Sequence, residues 1–308
     1  LGKSATEEQD RIEKQATRSI AMKSAKTIAA TLLCLFVFAA ASFAGNLNGP
    51  FGLALDAKGS LWVANLDANT ILEFDPNYVL QTSATITQGL NMPTSVAFDA
   101  AGNLWVSNFG ASNGGSFGSI SMYTNGVQNT AATITDSIVA PFSINVDGLG
   151  NIWVSNDSNY ITVYAMPAPN SLPTSLVGNL NFPGFEVHGL TVSSGSFAFG
   201  TGTKGVLVCP PQWDLTKKLI SGFQLPLNDS GAAMATAANG NIYIGNSDGT
   251  VNVFNPTTNI ESRFLQLTFV PSGMVVDSVR GRLYISNGNY GTAIYVYSLT
   301  GTLLQTIQ

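Results

Sequence analysis

From residue 45 to the C-terminus the chain is written in short apolar runs with a period of two, broken every few residues by Asn, Asp, Gly or Pro. That spacing predicts strands, because side chains alternate between the two faces of an extended backbone. Leu53 and Leu55 stand against Gly52 and Ala54, and Val96 and Phe98 against Ser95 and Ala97. No stretch of this region sustains a 3.6-residue apolar period, so the fold is expected to be all-β.

The strands recur in a repeated phrase: Pro, a small residue two on, Asp, Gly, an apolar-aromatic-apolar triplet, Asn. Pro50 to Asn65 reads PFGLALDAKGSLWVAN, Pro93 to Asn108 reads PTSVAFDAAGNLWVSN, and Pro141 to Asn156 reads PFSINVDGLGNIWVSN. Looser copies run from Gly231 to Asn246 and from Pro271 to Asn287, and a degenerate one from Val187 to Thr201. The marker positions Trp62, Trp105, Trp153, Ala198, Tyr243 and Tyr284 are spaced 43, 48, 45, 45 and 41 residues apart. Each unit divides into four strands: one before the Asp-Gly turn, the LWVAN-type segment, a third such as Thr70 to Phe74, and a Thr-rich fourth such as Ala84 to Gln88. A four-stranded sheet this short cannot bury both faces alone, and radial repetition packs each on its neighbour. The expectation is a six-bladed β-propeller with four antiparallel strands per blade, the blades at 45–88, 89–136, 137–180, 181–226, 227–267 and 268–308. Gly301 to Gln308 is expected to supply the outer strand of the last blade, so that the ring closes face to face.

Upstream, residues 1–21 are polar, and Met22 reads as the start of a leader. Lys23 and Lys26 precede the apolar run Thr27 to Phe38, and Ser42 and Ala44 are the small residues a signal peptidase selects. Residues 22–44 are therefore expected to be a signal peptide, leaving a mature chain from Gly45 with no membrane span and an extracellular or cell-envelope location. The whole chain carries 13 basic and 18 acidic residues, and the mature part seven against fourteen. That surplus of negative charge argues against nucleic-acid binding. One histidine, and Cys209 as the lone mature cysteine, leave no disulfide and no multi-histidine or thiolate centre.

The phrase P-x-G-x-A-x-D-x-x-G-x-L-W-V-x-N resembles the NHL repeat and its relatives, the gluconolactonase/senescence-marker family and the streptogramin lyases. The copies around Leu61 to Asp75 and Leu283 to Ser298 are also similar to the YVTN repeats of secreted surface proteins. One departure is visible: NHL units usually end the second strand with Asp, where Asn65, Asn108, Asn156, Asn246 and Asn287 stand here. The resemblance implies a propeller and, for its enzymatic members, a divalent cation such as Ca²⁺ or Mg²⁺ at the channel mouth. The matching positions are Phe51, Thr94, Phe142, His188, Ala232 and Ser272, a ring without a carboxylate. Glu186 and Asn145 are the nearest oxygen donors, no residue is assigned as a metal ligand, and no cofactor is expected.

Glu186 and His188 lie two apart on a strand and share a face, as a carboxylate orienting a general base would. The fourth unit breaks the repeat and adds Trp213, Lys217 and Lys218, which with Phe51 and Phe142 are candidate ligand-binding residues. The Asn- and Asp-rich segments Asn65 to Asn69 and Asn156 to Asn159 resemble calcium loops but lack the bidentate Glu, so they are expected to be turns. Gly110 to Gly118 is expected to be a long loop. The leading expectation is a secreted, monomeric, non-catalytic propeller binding a protein or glycan through its loop face. The alternatives are a metal-dependent lactonase or lyase using His188 and Glu186, and a structural surface component.

Overall fold

The computed structural model describes residues 47–111, 117–157, 160–165, 175–181, 187–193, 196–200, 205–209, 223–224, 230–288 and 290–308. The strands follow the repeat. β1 Pro50–Leu55, β2 Leu61–Asn65 and β3 Thr70–Phe74 form the first sheet. β4 Pro93–Phe98, β5 Leu104–Ala111, β6 Phe117–Thr124 and β7 Val127–Ile134 form the second, and β8 Pro141–Val146, β9 Ile152–Asn156, β10 Tyr160–Ala165 and β11 Ser175–Asn181 the third. The fourth holds β12 Leu190–Ser193, β13 Ser196–Gly200, β14 Val206–Cys209 and β15 Phe223–Gln224. The fifth has β16 Ala233–Thr236, β17 Ile242–Gly245, β18 Thr250–Asn255 and β19 Ile260–Gln266, and the last β20 Gly273–Asp277, β21 Arg282–Ser286, β22 Ile294–Ser298 and β23 Leu303–Ile307. Within every sheet, strands adjacent in sequence pair antiparallel.

The molecule is an all-β propeller with five complete four-stranded blades, not the six expected. The first sheet stops at three strands. The segment expected as its fourth, Ala84 to Gln88, bridges β3 at Ile71 to Ile86, and the chain leading into it at Phe74 to Leu80, with no continuous ladder between the two. Between those bridges β3 advances three residues while the returning chain spends six, and a 3₁₀ turn at Thr82–Ala84 absorbs the surplus. A ladder needs matched rise on both strands, so it cannot propagate there.

Two local rules shape the blades. Proline opens the innermost strand of the first three sheets, and the register slips just after it, between Pro50 and Leu53, Pro93 and Ser95, and Pro141 and Ser143. A residue without an N–H cannot hold the ladder and is tolerated at a strand start. The turn into the second strand is closed by Asp and Gly: Asp56 Oδ1 accepts the Lys58 and Ser60 amides, both at 2.9 Å, and Gly59 takes φ +83°.

Sheet faces pack on one another around an axis lined by β1, β4, β8, β12, β16 and β20. Ala54, Ile71, Val96 and Val106 share one interface core, and Trp105, Ile120, Ile144 and Val154 the next. Each fully buried aliphatic side chain contributes about 1.5–3 kcal/mol. The ring closes where Leu53, Val63 and Phe74 of the first sheet meet Tyr284, Ile294 and Val296 of the last. No strand is exchanged across this seam, since the last sheet runs without interruption in sequence from β20 to β23. Backbone bonds join it as well, Gly49 N to Gly291 O at 2.9 Å and Gly288 N to Pro50 O at 3.0 Å. Among the described residues no helix is long and apolar enough to cross a membrane.

Candidate functional site

The axial mouth is built from the chain that enters each innermost strand. Phe51 and Phe142 are the second residues of β1 and β8, Thr94 the second of β4, and His188 lies two residues before β12. Thr94 is buried, and its hydroxyl donates to Pro141 O at 2.7 Å and lies 3.0 Å from Ser107 Oγ. It acts as a strut between the second and third sheets. His188 is anchored through its backbone carbonyl, which accepts the Ser155 hydroxyl at 2.7 Å. Next to it Gly189 N donates to Gly231 O at 3.0 Å, and a Cβ at Gly189 would fall 2.3 Å from that same oxygen. Only glycine allows the His188 segment to approach the fifth sheet this closely.

Four rings gather at the rim. The Phe142 centroid lies 6.1 Å from Phe51, 5.5 Å from Phe109 and 4.9 Å from His188, with interplanar angles of 51°, 79° and 37°. All four residues are half-buried. The other half of the rim is small, with Ala232 and Ser272 at the matching positions. Behind it runs a cavity of about 260 Å³ lined by innermost strands of every sheet, without an acidic or basic side chain among the described residues. Its polar groups are tied to the walls. Asn145 Nδ2 donates to Leu190 O at 2.8 Å, and the Thr191 and Thr236 hydroxyls pair at 2.8 Å.

This donor set does not fit a hard divalent cation, which takes six or more oxygens with carboxylates among them. The rim offers one imidazole and two hydroxyls, and no cluster of three His, Cys, Asp or Glu exists among the described residues. The Asn145 amide, an oxygen donor on sequence grounds, gives its nitrogen to Leu190 O of the next sheet and could add only one neutral oxygen.

Of the residues singled out from sequence, the structure brings Phe51, Phe142 and His188 to one rim. Glu186, Trp213, Lys217 and Lys218 lie outside the described residues. Phe109 was missed. The expected loop from Gly110 is instead strand at both ends, since β5 continues to Ala111 and β6 begins at Phe117, and this extended hairpin holds Phe109 against Phe142. The signal was available: the residue after the repeat's Asn is aromatic only there, against Leu66, Asp157, Ser247 and Gly288 elsewhere.

The repeated polar residues prove structural. Asn65, Asn108, Asn156 and Asn246 are buried, and each Oδ1 accepts a backbone amide from the preceding inter-sheet connection, at 2.7–3.0 Å. Their Nδ2 atoms donate to Thr70, Ser121, Thr162 and Thr250 hydroxyls. The Asp of the turn accepts the indole N–H of the marker Trp, at 3.4 Å for Asp56 and Trp62, 3.0 Å for Asp99 and Trp105, and 2.9 Å for Asp147 and Trp153.

No family model and no curated protein matches the sequence. Solved structures do match in fold. A streptogramin B lyase shares 14% identity at a TM-score of 0.61, over 86% of this chain and 85% of that one. The virginiamycin B lyase of Staphylococcus aureus shares 14% at 0.59, over 84% of each. A gluconolactonase from Xanthomonas campestris shares 15% at 0.61, over 79% of this chain and 84% of that one. The class these define is the β-propeller fold that such lyases and gluconolactonases share. Within it, the NHL and YVTN resemblances rest on the repeat phrase.

Proposed function

We propose that this chain is an enzyme of the propeller lyase or lactonase kind, opening a small cyclic ester at the axial mouth with His188 as proton acceptor. The observation that carries the reading is the half-buried His188 imidazole, held 4.9 Å from Phe142 beside a cavity whose described lining is uncharged. Fold neighbours that are a streptogramin B lyase and a gluconolactonase support catalysis here over a passive scaffold. In ring opening by water, the imidazole takes a proton as the water oxygen adds to the carbonyl carbon. The ring C–O bond then breaks, and the leaving oxygen takes the proton back from the imidazolium. In the elimination variant the imidazole takes a proton from the carbon next to the C–O carbon, a C=C bond forms and the carboxylate leaves.

The test is turnover of a panel of cyclic esters by the purified chain and by His188→Ala. Loss of about 100-fold or more in kcat/KM with an unchanged melting temperature is the expected result. Full activity in the variant overturns it. A second reading, a non-catalytic binding propeller, is favoured by one feature: the rings of Phe51, Phe109 and Phe142 form an apolar contact surface at the rim. Ligand binding without turnover would establish it. We also propose export, on the apolar run from Thr27 and the small residues Ser42 and Ala44. An N-terminus at Gly45 on the protein recovered from medium or envelope checks this.

A further inference from the structure

The rim is lopsided, and the two halves differ in the property that selects a ligand. On one side stand the rings of Phe51, Phe109, Phe142 and His188, joined through Phe142. On the other, the equivalent positions are Ala232 and Ser272, and beside Ser272 comes Gly288, where a Cβ would fall 1.6 Å from the Ser272 hydroxyl. Of the positions equivalent by the repeat, Phe51, Phe142 and His188 carry rings on one side, with the buried Thr94 between the two phenylalanines, and Ala232 and Ser272 are small on the other, so the open side of the rim faces an aromatic wall. Phe142, Ala232 and Ser272 belong both to this rim and to the cavity behind it.

We infer that the mouth takes the planar aromatic ring of an uncharged aryl lactone or aryl ester, seated over Ala232 and Ser272 with its face or edge against Phe142. This substrate class rests on the catalytic reading above. Three observations lead to it. A ring against an aromatic cluster gains edge or offset contacts that an aliphatic group of equal area lacks. The cavity of about 260 Å³ exceeds the roughly 150 Å³ known to hold benzene, so one ring and a small fused ester fit. Among the described residues no charged side chain lines that cavity, so an anionic or cationic substituent would lose its hydration without a partner there. The neighbouring His188 then lies beside the ester of a ring so placed.

The experiment compares equilibrium binding of dihydrocoumarin and δ-valerolactone, by calorimetry or ligand-observed NMR, with turnover of both measured in parallel. The aryl lactone is expected to bind about tenfold tighter or more. Ala232→Leu and Ser272→Leu fill the small half and are expected to abolish that preference, and Phe142→Leu to reduce it. Melting curves establish that each variant is folded, and the two leucine variants on the small side carry the test if Phe142→Leu is not. Equal affinity for the two lactones, or a preference that survives filling of the small half, overturns the inference. The two readings fail separately. Tight aryl binding without turnover removes the catalytic function and leaves the aryl site, whereas His188-dependent turnover without ring preference does the reverse.

Discussion

At the level of single residues, the repeat is held by two polar devices. A buried indole N–H needs an acceptor, and where the marker is Trp62, Trp105 or Trp153 the turn supplies Asp56, Asp99 or Asp147. In the fifth unit the marker is Tyr243 and the turn position is Ala237; in the last, Tyr284 leaves Asp277 to take Arg280 at 2.9 Å. The second device explains the Asn in place of the Asp usual in NHL repeats. At Asn156, Oδ1 accepts Val139 N at 2.9 Å while Nδ2 donates to Thr162 Oγ1 at 2.9 Å, and the Thr162 hydroxyl proton is already committed to Ser137 O at 3.0 Å. A carboxylate there would face an acceptor inside the protein. Asn156→Asp is therefore expected to cost roughly 1–3 kcal/mol at neutral pH in urea denaturation. The loss should shrink as pH falls towards about 4, because a carboxyl protonated in the folded state regains a donor, and level off below that, where the unfolded chain is protonated too. Equal stability at neutral pH would mean that the amide donor is dispensable.

Among the elements, the third strands of the second and third sheets share a tyrosine that fastens the connection arriving from the previous sheet. Tyr123 on β6 donates its hydroxyl to Gln88 O at 2.7 Å, and Tyr164 on β10 donates to Asp136 O. Burial pushes the Tyr123 phenol up to about 12 and raises Tyr164 as well, because a phenolate in the inter-sheet core would lose its hydration. A phenol whose folded pKa lies above its unfolded value near 10 contributes stability that is complete below pH 10. That contribution is lost as pH rises through about 12, because the unfolded chain sheds its proton first. The urea midpoint is expected to fall between pH 10 and 12, and more shallowly in Tyr123→Phe. Identical slopes for the two proteins would remove Tyr123 as the cause. The first sheet is decided at the same scale: β3 meets a return segment whose length does not match its own, so no fourth strand pairs with it.

For the whole molecule the seam between the first and last sheets decides whether the ring stays shut. It is closed by side-chain packing, by backbone bonds and by the Ser286 hydroxyl donating to Phe51 O at 2.5 Å. The backbones approach so closely that a Cβ at Gly273 would lie 2.0 Å from Phe51 O. Gly273→Ala must therefore push the two sheets apart at the residue that also carries a rim phenylalanine. A loss of about 1–3 kcal/mol is expected, with a change in the near-ultraviolet aromatic signal of the mouth. Gly148→Ala, where a Cβ meets nothing within 4 Å, is the control and should be close to neutral. Equal midpoints for the two variants would show that the seam is loose. Because each sheet is sheltered only by its neighbours, unfolding is expected as one transition across the seam and the rest of the ring.

Much of the architecture could be read from the chain alone. Strand periodicity, Asp-Gly turns and a repeat near 44 residues are properties of adjacent residues, and local backbone preferences suffice to write them. The propeller and the order of its strands follow from those, as does the structural role of the repeated Trp positions. What local rules could not decide was how many residues a return segment would spend against β3, and hence that the first sheet would stop at three strands. The mouth was likewise only partly visible. Phe51 and Phe142 stand 91 positions apart in the chain and meet because sheet-on-sheet packing bends the row of units into a ring. Phe109 joins them only because β5 and β6 pair beyond the repeat phrase. Face packing and strand register are non-local, summed over contacts between distant segments, and they alone placed four rings on one side of the rim and small residues on the other.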